Sequence, residues 1–278
     1  MELITEPFGF DFFIRALIAG VIVGATCGAV GTHVSLRNMS AIGNGLSQCT
    51  LGGVAVAVVG GLHPIAGAIA GALLASWLLS SITRVRGIHL DTAIGLVSTS
   101  MFAFGVAVIS ANREDAPNLS DLLFGNVLAV TTFDILLVGA VGTVVVTWVE
   151  SAHKELVIAA FDRESAQTIL RDPARTELLF QLALAAVVVA AVQVVGVLLI
   201  AASLVLPAAT ARLHVKSAAT MLPVAAIIGG AMAVVGLYAS YHADVASGPA
   251  IVLAGTTAFG VSWIAHTELP RRSRASRS

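Results

Sequence analysis

The chain has 278 residues, of which 57% are hydrophobic and 11% charged, with a formal net charge of −1. A soluble domain carries about 25% charged residues, so this composition cannot supply a water-facing shell. With only 15 basic residues against 16 acidic ones, no nucleic-acid partner is expected.

A helix that crosses a bilayer needs roughly 20 mostly apolar residues, because it rises about 1.5 Å per residue through about 30 Å of hydrocarbon. The first apolar stretch begins near Phe12 and runs through Gly20, Gly24, Gly28 and Gly31 to Leu36. It is longer than a signal-peptide core and lacks an Ala-x-Ala exit, so it is expected to stay as a span. In chain order the spans are predicted at 13–36, 42–61, 64–83, 92–111, 127–149, 178–195, 197–213, 219–240 and 249–266. Gly196 and Pro207 interrupt the apolar run from Leu178 to Leu213, which is too long for one crossing, and divide it into a helix and a short returning helix. Without that division the count falls to eight. The fold class is all-α, a polytopic transmembrane bundle.

Lys and Arg mark cytoplasmic loops. Nine spans with the N-terminus outside put 13 of the 15 basic residues on one face, among them Arg37, Arg84, Arg86, Lys154, Arg163, Arg171, Arg175, Arg212 and Lys216. The other face receives Glu2, Glu6, Asp11, Glu114, Asp115, Asp121 and Asp244, and eight spans lose this separation. The one sizeable loop, Glu150 to Glu177, is therefore cytoplasmic. Its stretch from Phe161 to Leu170 can form a short amphipathic helix with Asp162 near its start, suited to meeting a partner. Residues 1–266 make one membrane domain, and 267–278, rich in Arg and Ser, are expected to be a disordered cytoplasmic tail near lipid headgroups.

Small residues recur at four-residue spacing in Gly20, Gly24 and Gly28 and again in Gly67 and Gly71, which predicts close helix packing. Cys27 and Cys49 lie in apolar stretches without CxxC spacing and are expected to be buried thiols. Asp91 and Asp134 are the carboxylates nearest membrane depth. An ionisable group there points to a transport path, while a position near a helix start points to capping; both readings stand. Asn44 and Gln48 lie one turn apart on one helix face, either lining a path or bonding between helices. His63, His242 and Asp244 are candidates for an outer, metal-attracting mouth, with solvated loop residues as the alternative. His33, His89 and His266 show no partner spacing.

No GxxxxGK[ST] phosphate loop is present, so ATP hydrolysis driving transport would sit on another chain. The absence of HExxH, GxSxG and a placed Ser/Lys pair speaks against an intramembrane enzyme. An ion-coupled secondary transporter shares this hydropathy and remains the alternative class.

The order and spacing of several stretches carry a resemblance. They are Leu36-Arg-Asn-Met-Ser-Ala-Ile-Gly43 with Leu46-Ser47, Asp91-Thr-Ala-Ile-Gly95, Phe124-Gly-Asn-Val-Leu-Ala-Val130 and Phe161-Asp-Arg-Glu164. Further on come Gln193-Val-Val-Gly-Val197, Leu206-Pro-Ala-Ala-Thr-Ala-Arg212, Gly236-Leu-Tyr and Ser247-Gly-Pro249. Over nearly its whole length the chain resembles the permease subunits of ABC importers for manganese, zinc and iron, a branch related to the vitamin B12 and siderophore permeases. The resemblance implies a bacterial cell-membrane protein that pairs with a second copy of itself. It implies two ATP-binding-cassette subunits docked on Phe161, Asp162, Arg163 and Glu164, and an extracytoplasmic solute-binding protein. No cofactor is expected on this chain, the ATP belonging to the partner. Alternating access would move cargo, each ligand state favouring one conformation.

One departure bears on cargo. Where metal-importing relatives typically read Asp-x-x-x-His, this chain reads Asn44-Gly-Leu-Ser-Gln48. The family's metal-ligand positions, Asn44 and Gln48, are neutral amides, which are weak ligands for a bare dication. Two cargo readings follow: a free divalent metal held by other ligands such as Asp91 or Asp134, or a chelated, less charged species.

Overall fold

The computed structural model describes residues 10–37, 39–82, 90–112, 130–161, 172–197, 199–215 and 217–275. The regular elements among these residues are all helical. In order they are α1 (Asp11–Leu36), α2 (Ser40–Val59), α3 (Pro64–Ile82), α4 (Leu90–Ala111) and α5 (Thr132–Ser151). There follow α6 (His153–Phe161), α7 (Pro173–Val195), α8 (Ile200–His214), α9 (Ala218–Ala243) and α10 (Ser247–Ala275).

Seven of these helices, α1, α2, α4, α5, α7, α9 and α10, are long and apolar enough to cross a bilayer, and α3 and α8 are apolar but shorter. Each expected span coincides with one of these nine helices, while α6 falls in the stretch expected between the fifth and sixth spans. The division of the long apolar run occurs at Gly196, whose φ of 88° ends α7 in a conformation that costs glycine little. Pro207 does not take part in that division. It lies inside α8, a position tolerated in lipid because neighbouring helices and side chains satisfy the freed backbone groups.

α1 forms the axis. Its buried residues run from Phe13 to Val34 on more than one face, and it packs against α9 most extensively, then α8 and α5. A second group consists of α2 with α3 and α4, and α7 joins the groups by touching α1, α2, α3 and α5. The small-residue spacing has the expected consequence. A Cβ on Gly24 would collide with the backbone carbonyl of Gly229, and a Cβ on Gly229 with that of Gly24, so α1 and α9 cross at backbone contact. The outer surface remains apolar, with Trp77, Leu136, Ile227 and Val261 all exposed, as a hydrocarbon solvent allows. Cys27 and Cys49 are buried and free.

Two boundaries differ from expectation. α5 starts at Thr132, five residues inside the predicted span, because Thr131 and Asp134 cap it there. α10 is helical through Ala275, past the point where disorder was expected to begin. Arg is a good helix former, and each residue added to an existing helix gains a hydrogen bond.

Candidate functional site

Asn44 and Gln48 stand near the start of α2. The helix turns Gly43 toward Leu204 of α8 and Gly45 toward Ile94 of α4, so both flanking positions are closed by neighbours. Asn44, between them, is exposed and Gln48 is half-buried. Gln48 Nε2 donates to Asn44 Oδ1 at 3.5 Å, a long bond at the edge of the useful range. Ser47 Oγ donates to the Asn44 carbonyl at 2.9 Å. The two amides therefore converge on one edge of α2, within reach of each other and open on the far side.

Asp134 takes the capping reading. Its Oδ2 accepts from the Thr131 backbone N at 2.9 Å and from Thr131 Oγ1 at 2.6 Å, while its own N–H donates to Thr131 Oγ1 at 3.3 Å. This is a reciprocal capping box that neutralises two orphan donors and places a carboxylate at the positive end of α5. Asp91 lies in the first turn of α4; its side chain is outside what the structure describes.

The expected outer mouth is not assembled. Among the described residues no three or more His, Cys, Asp or Glu side chains gather where they could hold a metal ion. Each candidate has local work instead. His63 Nδ1 accepts from the Ile65 N–H at 3.4 Å. His242 Nδ1 meets the Tyr238 carbonyl at 3.0 Å, and its ring lies 4.4 Å from that of Tyr238. Asp244 adopts the left-handed conformation, φ 53°, that terminates α9.

Of the expected docking residues, Phe161 is the last residue of α6, and Asp162, Arg163 and Glu164 lie outside the described residues. α6 itself begins at His153, upstream of the predicted amphipathic stretch, after Ala152 ends α5. On the far side, Asp172 Oδ1 accepts from the Arg175 N–H at 3.1 Å, and Pro173 opens α7.

Sequence reasoning missed a cluster at the same end of the bundle. His33 and Arg37 at the end of α1 meet His153 and Leu156 of α6 and Glu177 and Phe180 of α7. Arg37 and Glu177 form the one ion pair among the described residues. Separations of 119 to 140 residues left no periodic signal to find these contacts.

Residues 9–266 match the ABC 3 transport family. The chain belongs to that family. It is 37% identical over 262 residues to the manganese import system permease protein ScaB of Streptococcus gordonii, covering 94% of each chain. It is 32% identical to the chelated iron transport system membrane protein YfeC of Yersinia pestis, over 93% of this chain and 88% of the other. Among solved structures it resembles PsaBC from Streptococcus pneumoniae in complex with Fab, with a TM-score of 0.85, 35% identity and 94% of both chains covered. As an ABC 3 permease, the chain is a multi-pass protein of the bacterial cell membrane and a transport subunit, not an enzyme.

A cap and a path residue respond differently to mutation. Asp134→Ala in this ABC 3 permease is expected to cost about 1 kcal/mol of stability, the worth of a helix cap, and to leave the rate of metal uptake unchanged. Uptake that collapsed in a variant of normal stability would return Asp134 to the path.

Proposed function

We propose that this chain is the membrane-spanning permease of an ATP-driven importer whose cargo is a divalent transition metal, manganese before iron or zinc. The observation that carries the reading is the chain-long match to a permease named for manganese import, 37% identical with 94% of both chains covered. In this reading nine helices cross the membrane, α3 and α8 included, with the N-terminus outside and the C-terminus in the cytoplasm. Two copies pair, and the exposed setting of Asn44 suits a path completed by a second chain. A solute-binding protein delivers cargo at the outer face.

Two ATPase subunits dock on the stretch from Phe161 to Glu164, between α6 and α7. ATP-driven closure of the ATPase pair moves that stretch, and the helices open the path to one side at a time. This requires each nucleotide state to favour one conformation by its own differential affinity. Replacing Asp162 and Glu164 together with Ala is expected to leave the permease folded and to uncouple ATP hydrolysis from uptake. Manganese uptake at the wild-type rate in that variant would remove the docking assignment.

One observation favours a second cargo reading. Asn44 and Gln48 offer amide oxygens where a bare dication loses hydration and gains only weak ligands. A chelated metal carries its own ligands and needs no such donors. The deciding experiment is uptake by the reconstituted complex of permease and co-purified ATPase subunit, supplied with ATP and either free manganese or a ferric chelate. Uptake that ignores ATP and is abolished by a protonophore would overturn the importer reading in favour of an ion-coupled carrier.

A further inference from the structure

The inner-end cluster has no place on the proposed path, yet its construction is costly. The Arg37 side chain is 4% exposed. Its guanidinium pairs with Glu177, donates toward the Leu156 carbonyl at 3.5 Å and lies 4.3 Å from the centre of the Phe180 ring. One turn earlier, His33 is fully buried. Its Nε2 meets His153 Nδ1 at 3.3 Å, and its ring stands edge-on to Phe180 at 6.2 Å. Leu156 and Phe180 are themselves fully buried, so the seam is dry on that side, while the Glu177 side chain is 37% exposed and opens it at the other. Within it, His33 Nδ1 and Arg37 Nε have no hydrogen-bond partner among the described residues.

Packing alone does not call for this arrangement. Apolar side chains of similar volume usually serve a buried site at least as well as an ion pair does, and each unpartnered buried nitrogen adds a desolvation cost. Nor does the cluster suit a bound cation, because the Arg37 guanidinium puts positive charge beside the two imidazoles. What the cluster does geometrically is tie three elements together. α6 and α7 flank residues 162–171, and one end of α1 grips both of them at once. Further along, α1 makes its most extensive contact, the backbone crossing with α9 at Gly24 and Gly229.

We infer that Arg37, held by Glu177 and Phe180 and backed by the His33–His153 contact, is a positioning residue that transmits movement of the α6–α7 segment to α1. The inference rests on the proposed docking of an ATPase subunit at residues 161–164. Arg37 touches no cargo. A planar guanidinium suits the task, because it can hold a carboxylate, a carbonyl and a ring face simultaneously in fixed directions.

The test uses the complex of permease and co-purified ATPase subunit in proteoliposomes, with manganese uptake and ATP hydrolysis measured on the same sample. Arg37→Met keeps the volume and removes the charge. It is expected to retain folding, ATPase binding and hydrolysis, while manganese moved per ATP falls about tenfold, a typical coupling between sites. Arg37→Lys, which keeps the charge but not the fork, falls between Met and wild type. An unchanged ratio in Arg37→Met overturns the inference. Should that variant fail to fold, Glu177→Gln decides, since a wild-type ratio there overturns it equally. The docking reading is scored separately by the Asp162→Ala, Glu164→Ala control. If that control keeps full coupling, the docking assignment fails and this inference falls with it. If the control uncouples while both Arg37→Met and Glu177→Gln stay coupled, the inference alone fails.

Discussion

Gly24→Ala and Gly229→Ala are each expected to destabilise the detergent-solubilised permease by about 3 kcal/mol, the upper end of the cost of overpacking. The obstacle met by each new methyl is a carbonyl on the facing helix, not a side chain able to rotate away. The backbones of α1 and α9 must therefore separate, which loosens the contacts along the whole crossing. Because each substitution drives the same separation, the double variant should cost clearly less than the sum of the singles. Gly260→Ala in α10 is the control. A Cβ there meets nothing within 4 Å, so the helix gains propensity, up to about 1 kcal/mol, without a clash. Should Gly24→Ala unfold at the same denaturant concentration as Gly260→Ala, the crossing of α1 and α9 is looser than described here.

Those glycines also illustrate what the sequence could reveal. Their four-residue spacing predicts a close helix contact, but not the partner, because spacing describes only one side of an interface. Hydropathy located the helices because lipid exposure makes each span apolar over its own length. The break at Gly196 was legible because no single crossing could absorb the long, mostly apolar run from Leu178 to Leu213. The capping role of Asp134 was legible in principle from Thr131 three residues before it, a capping-box spacing, yet depth in the membrane competed as an explanation. The candidates for the outer mouth failed for another reason. His63 and His242 are placed by local bonds to Ile65 and Tyr238, and shared sidedness does not bring side chains together. The cluster around Arg37 was illegible, since α1 must fold against α6 and α7, which lie far along the chain from it, before His33 and His153 become neighbours.

Asn44→Asp combined with Gln48→His is expected to tighten manganese binding at least about tenfold, or about 1.4 kcal/mol. The two positions are one turn apart, and their native side chains already approach to 3.5 Å. A carboxylate and an imidazole on the same turn can thus reach one ion together. The carboxylate adds the negative charge that offsets the ion's lost hydration, and the imidazole is a donor suited to divalent transition metals. Each single substitution should gain less than half of the combined effect, because one ligand alone leaves the ion poorly coordinated. Titration calorimetry with manganese on the purified protein checks this. An unchanged affinity in the double variant would mean that the exposed edge of α2 faces lipid or another helix rather than a path. A gain in affinity without any gain in free-manganese uptake would place these residues on the path and make the native amides a filter for cargo that arrives already coordinated.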